Sequence, residues 1–324
     1  KVLHRFAFTS KLKRMTAIAQ NLGSDSLWAL SKGAPETLKD FLNPATIPDS
    51  YDAVSRYHMS KGQRVLAMGY RKLGSKDSAL AWKKRGRAAV ESGLVFAGFI
   101  VLDCPLKPDS KKVIKELRNS GHHTVMITGD AVLTAAEVAR QVGIVKTKGG
   151  LETFELRELK DDQSKQVVGS GRFAFVPVKS TETANLDTKK CIAYSSANLD
   201  VVKGMLASSN IAAICVTGDT LTKIATDAVR RKMRQDSGGI SNTFIDPKTV
   251  LLHPDAQSTL QTLVPLISVF ARHAPRQKEA VVAAFNGAGR ITLMCGDGTN
   301  DVGALKISHC GISIISVPDL EAKQ

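Results

Sequence analysis

Aromatic residues are scarce: Phe, Trp and Tyr make up 5% of the 324 residues. A core must then be built mainly from Val, Ile, Leu and Ala. Long apolar runs are missing too. The longest, residues 93–102 and 260–271, fall far short of the ~20 residues that a bilayer-crossing helix needs. The first fifteen residues are charged and interrupted, which excludes a signal-peptide apolar region there. No Cys-x-x-Cys pair occurs. Cys104, Cys191, Cys215, Cys295 and Cys310 are scattered and odd in number, which argues against a disulfide framework or zinc site and for a reducing, cytosolic setting. Acidic residues are in the minority, 30 against 45 Lys plus Arg, giving +15. That excess suits an anionic partner such as a nucleotide, nucleic acid or acidic membrane surface, although a solvated basic surface explains it equally well. The basic residues are spread out. Their densest cluster, residues 83–87, has only Trp82 as aromatic company, which is weak ground for nucleic-acid binding.

What is present is a globular composition, 43% hydrophobic and 23% charged. At roughly 150 residues per domain the length predicts about two domains. The chain does not begin with Met and is expected to be a piece of a longer protein. Residues 4–8, 27–30 and 62–70 read as strands. Residues 35–41, 53–61 and 82–92 read as helices, the last closing a first domain at residue 92. From residue 93 the character changes. A continuous apolar strand (94–102) leads to a helix (109–120), a strand (123–127) and a helix (132–142) stopped by Gly143. The pattern returns with a helix at 278–286, a strand at 290–295, a helix at 302–308 and a strand at 311–315. Strands alternating with helices predict a parallel α/β sheet over residues 93–324. Residues 146–264 are polar and irregular and read as a long insertion outside that sheet.

Four strings carry chemistry. Met294-Cys295-Gly296-Asp297-Gly298-Thr299-Asn300-Asp301 follows a strand and precedes a helix. Its glycines permit a tight turn, and its carboxylates stand at the carboxyl end of a parallel strand, where α/β sheets place ligands. Two close Asp side chains suit Mg²⁺, which takes few ligands from the protein. The plainer explanation is an acidic turn with Asn300 or Asp301 capping a helix. Thr128-Gly129-Asp130 likewise ends a strand and opens a helix, so a hydroxyl and backbone N–H groups there suit a phosphoryl group. A capped turn is the commoner meaning of such a tripeptide. Lys278, at a helix start behind Pro275, could neutralise phosphate charge. Asp103-Cys104-Pro105-Leu106-Lys107-Pro108 is a proline-stiffened strand exit. An echo, Thr217-Gly218-Asp219, sits within the presumed insertion and is set aside.

In order, Thr128, Lys278, Asp297 and Asp301 resemble the later part of the haloacid-dehalogenase phosphotransferase pattern. With the upstream half, the chain resembles a P-type ATPase. Phe6-Ala7-Phe8-Thr9-Ser10, running to Lys13-Arg14-Met15, is similar to the nucleotide-domain motif whose Phe stacks on adenine. Lys32-Gly33-Ala34-Pro35-Glu36 is similar to the nucleotide-pocket motif. Gly62-Gln63-Arg64-Val65-Leu66 resembles the strand whose Arg meets the ATP phosphates. Residues 103–107 resemble the Asp-Pro-Pro-Arg hinge, with an added Cys and with Lys for Arg. Cys295 before Gly-Asp-Gly, and Val-Gly-Ala-Leu-Lys after Asp301, resemble the type V subclass and its A subgroup, proteins of the endoplasmic reticulum membrane.

This resemblance implies a haloacid-dehalogenase-like (Rossmannoid) parallel sheet domain over 93–324, the phosphorylation domain, and a partial α+β nucleotide-binding domain over 1–92. It implies ATP and Mg²⁺ as cofactors. Phe8, Lys13, Lys32, Gly33 and Arg64 are then expected to hold ATP, with Asp103 and Asp130 on the nucleotide's sugar–phosphate side. Asp297 would bind Mg²⁺, supported by Asp301 and Asn300. Thr128, Gly129 and Lys278 would take the transferring oxygens. The implied parent is a membrane protein that moves a cation or a transmembrane-helix substrate, with this part on the cytosolic side. Further partners would be its actuator and membrane domains, and no nucleic acid. The family's nucleophile string, Asp-Lys-Thr-Gly-Thr, does not occur in the 324 residues, so these residues alone are expected to be inactive. The rival readings are a soluble phosphatase of the same superfamily and a basic nucleic-acid-binding protein.

Overall fold

Every second residue of the strand Leu27–Gly33 (β3) is buried, the mark of a sheet with one covered and one bare face. The computed structural model describes residues 1–9, 12–21, 23, 26–74, 77–145, 152–159, 167, 172–178, 190–207, 211–237, 244–247 and 249–314. It divides into two units, Lys1–Pro105 and Leu106–Gln324. In the first, β3 lies in the middle of five antiparallel strands. The others are Val2–Phe6 (β1), Arg14–Gln20 (β2), Arg64–Gly74 (β4) and Val95–Leu102 (β5), in the order β1-β2-β3-β4-β5. Helices Pro35–Leu38, Tyr51–Ser60 and Arg87–Glu91 contribute to the covered side, with Ile18, Ala29, Leu38, Tyr51, Ala67, Val90 and Leu94 in its core. Tyr51 stays buried because its hydroxyl donates to the Pro35 carbonyl at 2.9 Å.

Three expectations change here. β2 is an additional strand, its alternation masked by small alanines. The basic segment 82–92 is two short helices, Ala79–Arg85 and Arg87–Glu91, broken at Gly86 with φ +86°. The apolar run expected to open the second domain is β5, which pairs with β4 through Arg64↔Leu102 to Tyr70↔Val95. The break between units therefore falls at Pro105 rather than at residue 92.

The second unit is built on a six-stranded sheet. Met126–Ile127 (β6), Glu152–Glu158 (β7), Phe173–Pro177 (β8), Ile192–Ala193 (β9), Ile211–Thr217 (β10) and Val269–Ala271 (β11) run in the order β6-β11-β10-β7-β8-β9. The first four in that order are parallel, and β8 and β9 join antiparallel. The expected parallel α/β sheet is present. The expectation that 146–264 lies outside it is overturned, since β7 to β10 all fall in that span. β10 is buried at six of its seven positions, between β11 and β7. Such a doubly covered strand reads as a continuous apolar run with no alternation. Burying each Val, Ile or Leu there stabilises the unit by ~1.5–3 kcal/mol. Helices Ser196–Ala207, Gly218–Ser237 and Pro254–Leu263 also lie within the span. Leu293–Gly296 (β12) and Cys310–Ser313 (β13) form a separate parallel pair. The helix Pro275–Gly287 packs beside Val302–Ile307, which connects them. Among the described residues no helix is long and apolar enough to cross a membrane.

Candidate functional site

Each unit holds one cluster of the residues singled out from sequence. In the first unit they gather on the bare sheet face and its rim. Lys32 is exposed and stands opposite Met15 and Met68 on its two neighbours. Arg64 is exposed on the same face, four residues before Met68, which is about 13 Å along the strand. Asp103 follows β5 one step beyond the Arg64↔Leu102 pair, at the same end. Phe8 is 59% exposed in the loop between β1 and β2. Lys13 closes that loop, and its carbonyl accepts from the Ala34 N–H at 3.0 Å. Gly33 is required here: a Cβ would lie 2.6 Å from Arg14 Cβ and 2.9 Å from the Lys13 carbonyl oxygen.

In the second unit the cluster is assembled around the start of the helix Pro275–Gly287. Thr128, at the end of β6, is half-buried. Its hydroxyl oxygen accepts from the Asp130 N–H at 3.1 Å and lies 3.2 Å from Asp130 Oδ2. Gly129 is exposed, with no heavy atom within 4 Å of a notional Cβ. The Thr128 carbonyl accepts from the His273 N–H and the Asp130 carbonyl from the Arg272 N–H, both at 3.0 Å. Lys278 and Asp301 are both buried and joined at 2.7 Å. Gly296 packs directly on this pair, since a Cβ there would meet Asp301 Cβ at 2.6 Å. Asp297 and Asn300 are exposed at the end of β12, and Asp297 makes no side-chain hydrogen bond or ion pair among the described residues.

This donor set fits a hard divalent cation. Asp297 offers an uncommitted carboxylate, and Mg²⁺ takes only one or two from a protein when phosphate and water complete its shell. Asp301, already neutralised by Lys278, is better placed to support than to carry such an ion. Among the described residues no group of three His, Cys, Asp or Glu side chains gathers to hold a metal.

Some residues of the clusters gave no sequence signal. His273 is buried, and its Nδ1 lies 2.9 Å from the Ala271 carbonyl. A carbonyl only accepts, so Nδ1 carries the proton and Nε2 is a lone pair that meets no donor. Burial, reinforced by nearby Lys278, pushes its pKa down to about 4, against the opposing pull of the Ala271 carbonyl and Asp219. Lys13 (φ +51°) and Arg272 (φ +54°) are the non-glycine residues with positive φ among those described, one in each cluster. Backbone strain of this kind concentrates at functional sites. Arg87 and Glu91, beneath the Phe8 loop, were legible only as an i, i+4 pair in a basic run.

The family described as "Hydrolase: haloacid dehalogenase-like hydrolase" matches residues 27–158. The chain is 35% identical over 317 residues to the probable manganese-transporting ATPase of Arabidopsis thaliana, covering 98% of this chain and 22% of that protein. It is 34% identical over 315 residues to the endoplasmic reticulum transmembrane helix translocase of Saccharomyces cerevisiae, covering 97% and 21%. The corresponding translocase of Aspergillus fumigatus is 32% identical over 326 residues, covering 98% and 21%. The chain thus spans about a fifth of the length of these curated relatives.

Proposed function

We propose that this chain, which belongs to the type V P-type ATPases, supplies the ATP-binding and phosphoryl-handling surfaces of an ATP-driven membrane translocase. The fold of the second unit is haloacid-dehalogenase-like, and a soluble phosphatase is the less favoured reading. The observation that carries the proposal is the exposed Asp297 at the end of β12, beside the buried Lys278–Asp301 pair. Buried charge is costly, and a paired lysine and aspartate held under an open carboxylate make an electrostatic floor for an anion and its cation.

In this reading the first unit is the nucleotide-binding part. Phe8 stacks on the base, Lys32 and Lys13 hold phosphate or ribose oxygens, Gly33 permits the close backbone approach, and Arg64 reaches the phosphate end with Asp103 nearby. In the second unit Thr128, the Gly129 backbone and Lys278 hold the transferring phosphoryl oxygens, with Asp130 orienting Thr128. Asp297 would hold Mg²⁺, with Asn300 and Asp301 supporting it. That ion would supply charge neutralisation between carboxylate and phosphate. In the whole protein an aspartate of Asp-Lys-Thr-Gly-Thr would be the nucleophile. That string is not among these residues, so the chain by itself forms no phosphoenzyme.

The relatives' names, together with Cys295 before Gly-Asp-Gly, support the A subgroup and an endoplasmic reticulum membrane parent, with this part on the cytosolic side. The substrate would be a transmembrane helix or a cation.

Two measurements test this. ATP titration of the chain should give Phe8→Ala a loss of roughly one to two decades in affinity, the worth of one base–aromatic stack. Unchanged affinity overturns the adenine assignment. Incubation with γ-labelled ATP should leave no acid-stable, hydroxylamine-sensitive label on the chain, and label there overturns the division of roles.

A further inference from the structure

A seven-residue connection, residues 7–13, carries Phe8 and Lys13 between β1 and β2. A side chain in such a loop binds well only if the loop is already held in its binding shape, because ordering it on binding costs affinity. Beneath it lies a charged cluster that the proposed ATP chemistry does not use. Glu91 is fully buried, and both its carboxylate oxygens are occupied. Oε1 accepts from Arg87 Nε at 2.7 Å and from the Thr16 hydroxyl at 2.6 Å, and Oε2 accepts from Arg14 Nε at 2.7 Å. Thr16 in turn shares a 2.8 Å hydrogen bond with Ser31 on β3. The rest of the Arg87 guanidinium reaches the loop itself. Nη1 donates to the Ala7 carbonyl at 3.0 Å and Nη2 to the Arg14 carbonyl at 2.7 Å. One planar fork therefore ties together the two flanks of the loop, and Glu91 fixes the plane of that fork.

Arg14 adds a second hold. Its Nη1 lies 3.3 Å from the Leu12 carbonyl, and its guanidinium stacks 3.8 Å above Phe41. Inside the loop the Leu12 and Lys13 N–H groups both donate to the Thr9 carbonyl, at 3.1 and 2.9 Å. Lys13 is thereby fixed at φ +51°. None of Glu91, Arg87, Thr16 or Ser31 stands on the bare face that carries Lys32 and Arg64, so they act only through the loop.

We infer that the Arg87–Glu91 clasp is a positioning device that presets Phe8 for the base of a purine nucleotide. This rests on the reading of Phe8 as the base-stacking residue. The test is a double-mutant cycle on the chain with two probes, ATP and inorganic tripolyphosphate, which has no base. Arg87→Met should weaken ATP roughly ten-fold in the native background, less than two-fold in a Phe8→Ala background, and leave tripolyphosphate unchanged. Arg87→Lys, which keeps the charge but cannot bridge both carbonyls, should weaken ATP in the same sense with the melting temperature held. Equal losses in both backgrounds, an equal loss for tripolyphosphate, or unchanged ATP affinity in both Arg87 variants would overturn the clasp. If Phe8→Ala alone leaves ATP affinity unchanged, the stacking assignment itself fails, and the clasp with it.

Discussion

Two strands of the second unit end in the same three residues, and their surroundings give those residues different fates. Thr128-Gly129-Asp130 follows β6, at the rim of the six-stranded sheet, where Gly129 faces open space. Thr217-Gly218-Asp219 follows β10, inside the sheet. There the Thr217 hydroxyl lies 3.0 Å from the Thr220 hydroxyl and accepts from the Thr220 N–H at 3.2 Å, as a helix cap does. A Cβ on Gly218 would sit 2.0 Å from Gln277 Oε1, so a side chain fills the space an oxyanion would need. Gln277 is held there by the Ala274 N–H at 2.8 Å and the Thr222 hydroxyl at 3.0 Å. The neighbouring residue on the same helix, Lys278, serves the other cluster. Whether a Thr-Gly-Asp turn stays open thus depends less on the string than on what packs against it, Gln277 at Gly218 and nothing within 4 Å at Gly129.

The largest effect that would sharpen this contrast comes from Lys278. Lys278→Met strands the buried Asp301 carboxylate and should cost about 3–5 kcal/mol of unfolding free energy in denaturant titration. Adding Asp301→Asn should return most of it. A loss below ~1 kcal/mol for the single variant would mean that the pair is solvated and the cluster is not the charged floor described. His273, whose N–H holds the Thr128 turn, gives the next effect. Its folded pKa of about 4 lies below the ordinary 6.5. Its contribution is therefore complete above pH 6.5 and is lost as pH falls towards 4, by roughly 3 kcal/mol in all. His273→Gln should flatten that part of the stability–pH curve, and parallel curves would refute it. The smallest effect compares the two glycines directly. Gly218→Ala must displace Gln277 and should cost about 1–3 kcal/mol, whereas Gly129→Ala should change stability by no more than ~0.5 kcal/mol. Equal costs would break the comparison.

Strand-turn-helix strings mark Thr128, Asp297 and Asp301 as candidates, but a Thr-Gly-Asp string is more often a capped turn, and it is the resemblance to a known phosphotransferase pattern that joins them with Lys278. Of the strands read for one parallel sheet, 123–127 supplies β6, whereas 290–295 and 311–315 supply the separate parallel pair β12 and β13. β10 was not legible, although Ile211–Val216 is wholly apolar. Its polar flanks, and the antiparallel β8 and β9, break the βα rhythm by which such strands are recognised. β5 reads as a strand from sequence, but a continuous apolar run does not say which sheet it joins, and it pairs with β4 of the first unit. Of the Arg87–Glu91 clasp only the i, i+4 pair is legible, and the Gln277 plug is not legible at all. They depend on pairings between residues 55 to 80 positions apart, and local periodicity carries no record of those.

The order of strands in the two sheets also sets an order of events in time. Each strand of the first unit pairs with its neighbour in sequence, so that sheet can close by short hairpin-like steps. Its five described strands can all pair once residue 102 is available. The Thr128 turn must wait for Arg272, 143 positions later, whose guanidinium reaches the Gly129 carbonyl at 3.3 Å. Each doubling of a loop adds only about 0.6 kcal/mol to the entropy of closure, so the delay weakens the finished unit little. It does slow the search, because distant partners must meet before their contacts repay it. On a ribosome the five-stranded sheet would therefore pair well before the Thr128 turn could be closed. For that interval β6 would be an apolar strand without β11 beside it, which makes the arrival of residues 269–278 the step at which misfolding competes with folding.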